Sequence, residues 1–412
     1  MNRIISRIII ALFFVVPLCG QVVIGPVINL QTPDIAKQFV VFVSCLVVGI
    51  LTFIKSDPSQ KRFINWPLYA LLVFLPVTIY CAPPIDLEYG TANLGGSWMW
   101  ASMVWVVAFW LLYESVVRLV FIRPLWIARS IGWAAIISAV YALIQAAAVD
   151  QFQFVQEYSV IGNPAAKNIT AFIGNPTYLA VWLVMCLPFL FAYFRWPAWT
   201  LTGTAIIFCQ SDIGLAGMVI VGLLWGAFRA RRGGWLAALV AAGLAALIVS
   251  WASWGYLRPK LTDNGRFSVW AQVWEDWRGP VVLMSPDEEM TPDEAKDVQK
   301  LNNKTYALTG RGMGSFPIIF GNKYSTQYKT AHNEHLEFLY CIGLIGYALF
   351  LAAAGYLFYT AFPLARGDLF YCACYVSLIF SFLAAAGMPV WHNDPTRLYS
   401  ALMFSLLSFG KK

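Results

Sequence analysis

The chain is poor in charge, in histidine and in paired cysteine. Only 12% of its 412 residues are charged, against 59% that are hydrophobic. A soluble domain carries roughly a quarter of charged residues. So little charge cannot clothe so much apolar side chain in water, which excludes a soluble multidomain protein. Lys and Arg nowhere form a run, so the formal net charge of +7 offers no nucleic-acid-binding face. Among the eight cysteines there is no Cys-x-x-Cys pair. All eight lie within or beside apolar stretches, where cysteine behaves as a small hydrophobe. A disulfide framework and a thiolate metal site are therefore not expected. Internal repeats and low-complexity runs are also missing. The first apolar run continues past residue 20, which predicts a retained span rather than a cleaved leader.

What remains is a succession of apolar stretches close to the ~20 residues that cross a bilayer as a helix. They lie at approximately 5–26, 36–54, 64–81, 98–117, 130–149, 177–194, 198–211, 213–228, 233–253, 335–359, 369–386 and 397–409. The aromatic share of 16% fits the belts that membrane proteins place at the interfaces. The expected fold is an all-α polytopic membrane protein of about twelve transmembrane helices with one large periplasmic loop carrying short helices. The seventh and eighth stretches are short and divided only by Ser211-Asp212, so a re-entrant pair is the alternative there.

Basic residues follow every even-numbered stretch, at Lys55, Lys61, Arg62, Arg118, Arg123, Arg129, Arg195, Arg229, Arg231, Arg232, Arg366, Lys411 and Lys412. The N-terminus adds Arg3 and Arg7. The intervening loops carry Asp34, Asp86, Glu88, Asp150 and Glu157, with Lys37 and Lys167 as their bases before the ninth stretch. By the positive-inside rule both termini are cytoplasmic. The expected organisation is nine spans over 1–254, a periplasmic cap over 255–331, and three spans over 332–412. Within the cap, Thr291-Pro292-Asp293-Glu294 predicts a capped helix reaching about Leu301.

The candidate chemistry gathers where the cap re-enters the apolar region, in Thr330-Ala331-His332-Asn333-Glu334-His335-Leu336-Glu337. Histidine at such a boundary suits proton transfer near neutral pH. By residue type alone, His332 is as readily an interfacial side chain bonded to a carbonyl. A metal held by His332 and His335 is disfavoured, since the chain has only three histidines and no nearby cysteine helps.

The motif His332-Asn333-x-x-Leu336-Glu337, followed by Gly343-Leu344-Ile345-Gly346, resembles the C-terminal motif of the O-antigen ligase and O-antigen polymerase superfamily. Three other stretches resemble elements of that family in the same order: Gly174-Asn175-Pro176-Thr177-Tyr178-Leu179-Ala180, Gly265-Arg266-Phe267-Ser268-Val269-Trp270, and Gly310-Arg311-Gly312-Met313-Gly314-Ser315-Phe316. The resemblance covers about residues 98–409.

It implies a glycosyltransferase that moves a glycan from an undecaprenyl-diphosphate carrier to an acceptor hydroxyl on the periplasmic face of a bacterial inner membrane. It implies no cofactor and no metal. The acceptor is lipid A–core for a ligase, another lipid-linked glycan for a polymerase, or a protein hydroxyl in a related branch; ligase is preferred. On this reading His332 is the general base and Arg266 the main diphosphate clamp, because guanidinium presents two donors to phosphate oxygens. Arg311, Lys167, Asn175 and Glu334 are further candidates for substrate binding. The family's arginine after the seventh span is absent: Gln210-Ser211-Asp212-Ile213-Gly214 puts an acid there. Lys167 is then the candidate replacement cation. Asp212 also keeps open a reading of another class, a twelve-span secondary transporter or flippase.

Overall fold

In a computed structural model, the described residues are 2–18, 23–24, 28–29, 33–55, 65–80, 92–118, 123–147, 169–173, 175–229, 266–279, 306–312, 315–316, 331–388, 391 and 394–409. They form twelve helices and one two-residue antiparallel pairing, Val23–Ile24 with Ile28–Asn29. The helices are α1 (Asn2–Leu18), α2 (Pro33–Lys55), α3 (Trp66–Tyr80), α4 (Ala92–Arg118), α5 (Pro124–Ala146), α6 (Pro176–Tyr193), α7 (Trp196–Phe208), α8 (Asp212–Arg229), α9 (Arg266–Arg278), α10 (Glu334–Gly367), α11 (Leu369–Ala385) and α12 (Asp394–Phe409).

The twelve helices are not the twelve expected spans. Helix α9 falls within the expected loop 255–331, and the expected ninth span, 233–253, lies outside the described residues, as do the expected helix after Thr291 and the candidate Lys167. Among the described residues, α5, α6, α8 and α10 are long and apolar enough to cross a membrane. Side chains such as Ile54, Val73 and Leu351 are exposed on helix surfaces, as suits a lipid surround and not water. Helix α7 has 13 residues and rises only ~20 Å, short of the ~30 Å hydrocarbon thickness.

Helix boundaries follow local chemistry. Proline opens α5 and α6, where a missing N–H costs nothing. A single extended residue, Asp368, ends α10 and starts α11, its carboxylate accepting from Phe370 N and Tyr371 N at 2.8 and 3.1 Å. The last residue of the α7–α8 turn, Ser211, caps α8 through Gly214 N at 3.2 Å. Helix α6 is apolar all round and buried from Leu179 to Leu190, as expected of a central helix. Around it pack α5, α7, α8, α11 and α12.

A second, smaller core joins Leu71 and Leu75 of α3, Val269 and Val273 of α9, Phe316, Ala331, and Tyr340 to Ile342 of α10. Its existence follows from a break in α10. At Gly343 the backbone has φ 67° and ψ −177°, a region essentially reserved for glycine. The expected tenth span is thus two pieces: a short arm, 334–342, and a long helix from residue 344.

A helix interrupted within an apolar setting must have its freed backbone groups satisfied by protein. The segment 306–312 does this. Arg311 N and Gly312 N donate to Tyr340 O and Cys341 O at 3.2 and 2.9 Å, while Leu344 N and Ile345 N donate to Ala307 O and Leu308 O at 2.9 and 3.1 Å. The two backbones approach so closely at Gly310 and Gly343 that neither position has room for a Cβ.

Candidate functional site

One end of the bundle collects the motif residues. There α5 ends beside the start of α6: Gln145 Oε1 accepts from Thr170 N and Ala171 N at 2.9 and 2.8 Å. The start of α8 meets the end of α11 where Ile213 lies beside Gly387. The arm of α10 joins the same end, because Glu334 Oε1 accepts from Trp391 N at 2.5 Å.

Asn175 caps α6, its Oδ1 accepting from Thr177 N at 2.8 Å and Tyr178 N at 3.4 Å. The Asn-Pro pair therefore sets where α6 begins. Asn175→Ala should cost ~1 kcal/mol of stability, read as a lower midpoint of thermal unfolding in detergent.

His332 is exposed and has φ +51°, a left-handed conformation that is uncommon for a residue with a side chain. The backbone on both sides of it is pinned. Ala331 O accepts from Trp270 Nε1 of α9 at 2.9 Å, and Ala331 N donates to Glu337 Oε2 at 3.3 Å. Asn333 caps the arm, its Oδ1 accepting from Leu336 N at 3.1 Å. Ala331, Glu337 and the Glu334 side chain are buried, while His332 projects. Such strain persists only where its surroundings over-determine it, and it clusters at functional sites. Trp270→Phe keeps an aromatic ring and removes the indole N–H. It should cost ~1 kcal/mol and increase amide exchange at 331–334.

Arg266 opens α9, one helical turn before Trp270. Helix α9 thus begins beside the segment in which the α10 arm begins. The first turn of the α10 arm follows His332 directly, and it carries the carboxylates of Glu334 and Glu337.

Arg311 occupies a different place. It is 1% exposed, and its Nη1 donates to Asp276 Oδ2 at 2.9 Å and to Tyr340 Oη at 3.0 Å. Its Nη2 donates to the carbonyls of Asp276 and, at 3.4 Å, Gly279. Tyr340 Oη donates to Asp276 Oδ2 at 2.7 Å, and the guanidinium lies 4.6 Å from the Tyr340 ring centre. Glu334 likewise faces inward to the Trp391 backbone. His335 does not pair with His332: its Nε2 is 3.0 Å from Phe382 O and its Nδ1 is 3.2 Å from Tyr347 Oη. A carbonyl only accepts, so a proton sits on Nε2, and in the neutral ring the tyrosine donates to Nδ1. Among the described residues no cluster suited to a metal occurs.

Asp212 sits in the first turn of α8, where the helix dipole favours a carboxylate. The acid that replaces the expected arginine thus has a place in this fold as the N-terminal residue of a helix.

Composition did not point to Gln145, Asp276 or Tyr340, whose roles depend on contacts remote in sequence. Glu337 had a signal, the His-Asn-x-x-Leu-Glu spacing, since a carboxylate four residues after an N-cap can reach back over the first turn. No family model matches the chain, and no curated protein matches its sequence.

Proposed function

We propose that the protein is a membrane glycosyltransferase that moves a glycan from an undecaprenyl-diphosphate carrier to an acceptor hydroxyl, as an O-antigen ligase acting on lipid A–core. The observation that carries this reading is the pinned, projecting His332. Trp270, Asn333 and Glu337, drawn from two separate motifs, converge on the backbone around one histidine.

In the proposed reaction His332 accepts the proton of the acceptor hydroxyl as that oxygen attacks the anomeric carbon. The bond from that carbon to the diphosphate oxygen breaks, and the diphosphate leaves with the electron pair. Charge developing on the leaving group is stabilised best by fixed donors. Arg266 suits that role, with Lys167 as an auxiliary. Asn175, a further candidate for substrate binding, sets where α6 begins, and Glu334 ties the α10 arm to Trp391. No cofactor is invoked. The proposed setting is a bacterial inner membrane crossed many times, with both termini cytoplasmic and His332 on the periplasmic side.

The test is expression of the wild type and His332→Ala in the native host, with surface glycans separated by size. Loss of polymer-bearing lipid A, with carrier-linked polymer accumulating, supports a ligase. Restriction to a single-repeat band supports a polymerase. An unchanged pattern contradicts both, and would return attention to transport.

A further inference from the structure

We infer that Arg311, Asp276 and Tyr340 form a positioning lock that holds α9 in register with the α10 arm, so that Arg311 serves the site without touching substrate. The inference rests on the proposed glycosyl transfer for its functional consequence, although its structural content stands alone.

Helix α9 meets the segment 331–342 at two places. Near its start Trp270 reaches Ala331, and six residues later Asp276 reaches Tyr340 and Arg311. Residue numbers rise together along both segments, so the two run parallel and their N-termini lie side by side. Val269, Val273 and Asp276 follow the i, i+4, i+7 spacing of one helical face, and all three are buried. That face therefore carries one charge into an apolar contact. A buried carboxylate is costly unless it is paired and hydrogen-bonded. Here Arg311 supplies the pairing.

The arginine itself cannot drift. Its backbone N–H is bonded to Tyr340 O beside the break at Gly343, and Gly310 and Gly312 on either side have φ +80° and +99°. The guanidinium is thus fixed relative to the arm by its own backbone, and relative to α9 by its side chain. Three segments separated in sequence meet at one buried ion pair. The pair sets where the start of α9, and with it Arg266, lies relative to His332.

Removing one partner of a buried pair leaves an uncompensated charge and is strongly destabilising, whereas replacing both with apolar groups is often nearly neutral. This separates positioning from substrate contact. The experiment compares full-length wild type, Arg311→Met, Asp276→Leu and the double variant, all in detergent, by amide exchange and by glycan transfer. Each single variant should raise exchange over 266–278 and 331–342 about a hundredfold, with exchange in α6 unchanged. Transfer should fall in kcat more than in the KM for the carrier-linked donor. The double variant, made also in a Tyr340→Phe background so that no hydroxyl is left orphaned, should recover both exchange protection and most of the transfer.

An arginine that binds diphosphate gives the opposite pattern: the double variant transfers no better than Arg311→Met, and the donor KM rises. That result, or unchanged exchange in the single variants, overturns the lock. Tyr340→Phe, which removes only a hydroxyl, provides a gentler variant with the same sign should a charge variant fail to fold. If wild type itself transfers no glycan, it is the glycosyltransferase reading that falls, and the exchange data still decide the lock.

Discussion

Gly343→Ala should abolish the docking of segment 306–312 on α10, with a loss of ~3–5 kcal/mol, the sum of a glycine-only backbone conformation and an overpacked contact. With φ 67° and ψ −177°, the residue lies outside the helical region, and an added Cβ would overlap Gly310 N and Leu308 O. Neither obstacle relaxes cheaply, because the opposing atoms are backbone held by four hydrogen bonds between the two segments. Straightening α10 would remove the strain only by breaking those bonds and burying the freed amides and carbonyls. The same substitution a few turns later gives the control. Gly355 is helical and exposed, and a methyl group added there meets nothing within 4 Å. Gly355→Ala should therefore be neutral or gain up to ~1 kcal/mol. Thermal unfolding of the two variants in one detergent should move in opposite directions, or leave Gly355→Ala in place while Gly343→Ala falls by many degrees. Equal midpoints would mean that the break is not a constraint on the fold.

Much of this fold was legible because lipid imposes a simple code. Apolar runs near 20 residues announced where helices would lie, and the polar pair Ser211-Asp212 marked the division between α7 and α8. The break at Gly343 was not legible as a break. The Gly343-Leu344-Ile345-Gly346 stretch reads equally well as part of a packed helix, and only the approach of Gly310 from a distant loop decides its conformation. The same holds for Arg311. A glycine-flanked arginine suggests a phosphate-binding turn from sequence, yet Asp276, 35 residues earlier, takes its guanidinium. The histidines divide in an informative way. His332 and His335 are one helical turn apart in sequence, but the N-terminus of the arm falls between them. One is thereby turned outward and the other into an aromatic cluster with Tyr347, Phe350, Phe382 and Trp391.

His332 is expected to be kept at a cost to stability. At φ +51° a side chain is strained by ~1 kcal/mol relative to glycine. Loss of a general base, in contrast, typically costs 10²–10⁴-fold in rate, on the order of 3–5 kcal/mol of transition-state stabilisation. His332→Gly should therefore leave the protein as stable as wild type or slightly more so, and nearly inactive. His332→Asn should behave in the same way, since asparagine tolerates the left-handed region better than most residues. A structural histidine would show the reverse, with stability falling and any loss of activity following from it.

The most direct measurement is made on purified His332→Gly beside wild type, reading the unfolding midpoint and the rate of glycan transfer from an undecaprenyl-diphosphate donor to lipid A–core on the same samples. The expected result is an unchanged or raised midpoint together with a rate at least ~100-fold lower. Transfer at the wild-type rate by the glycine variant would contradict a catalytic His332.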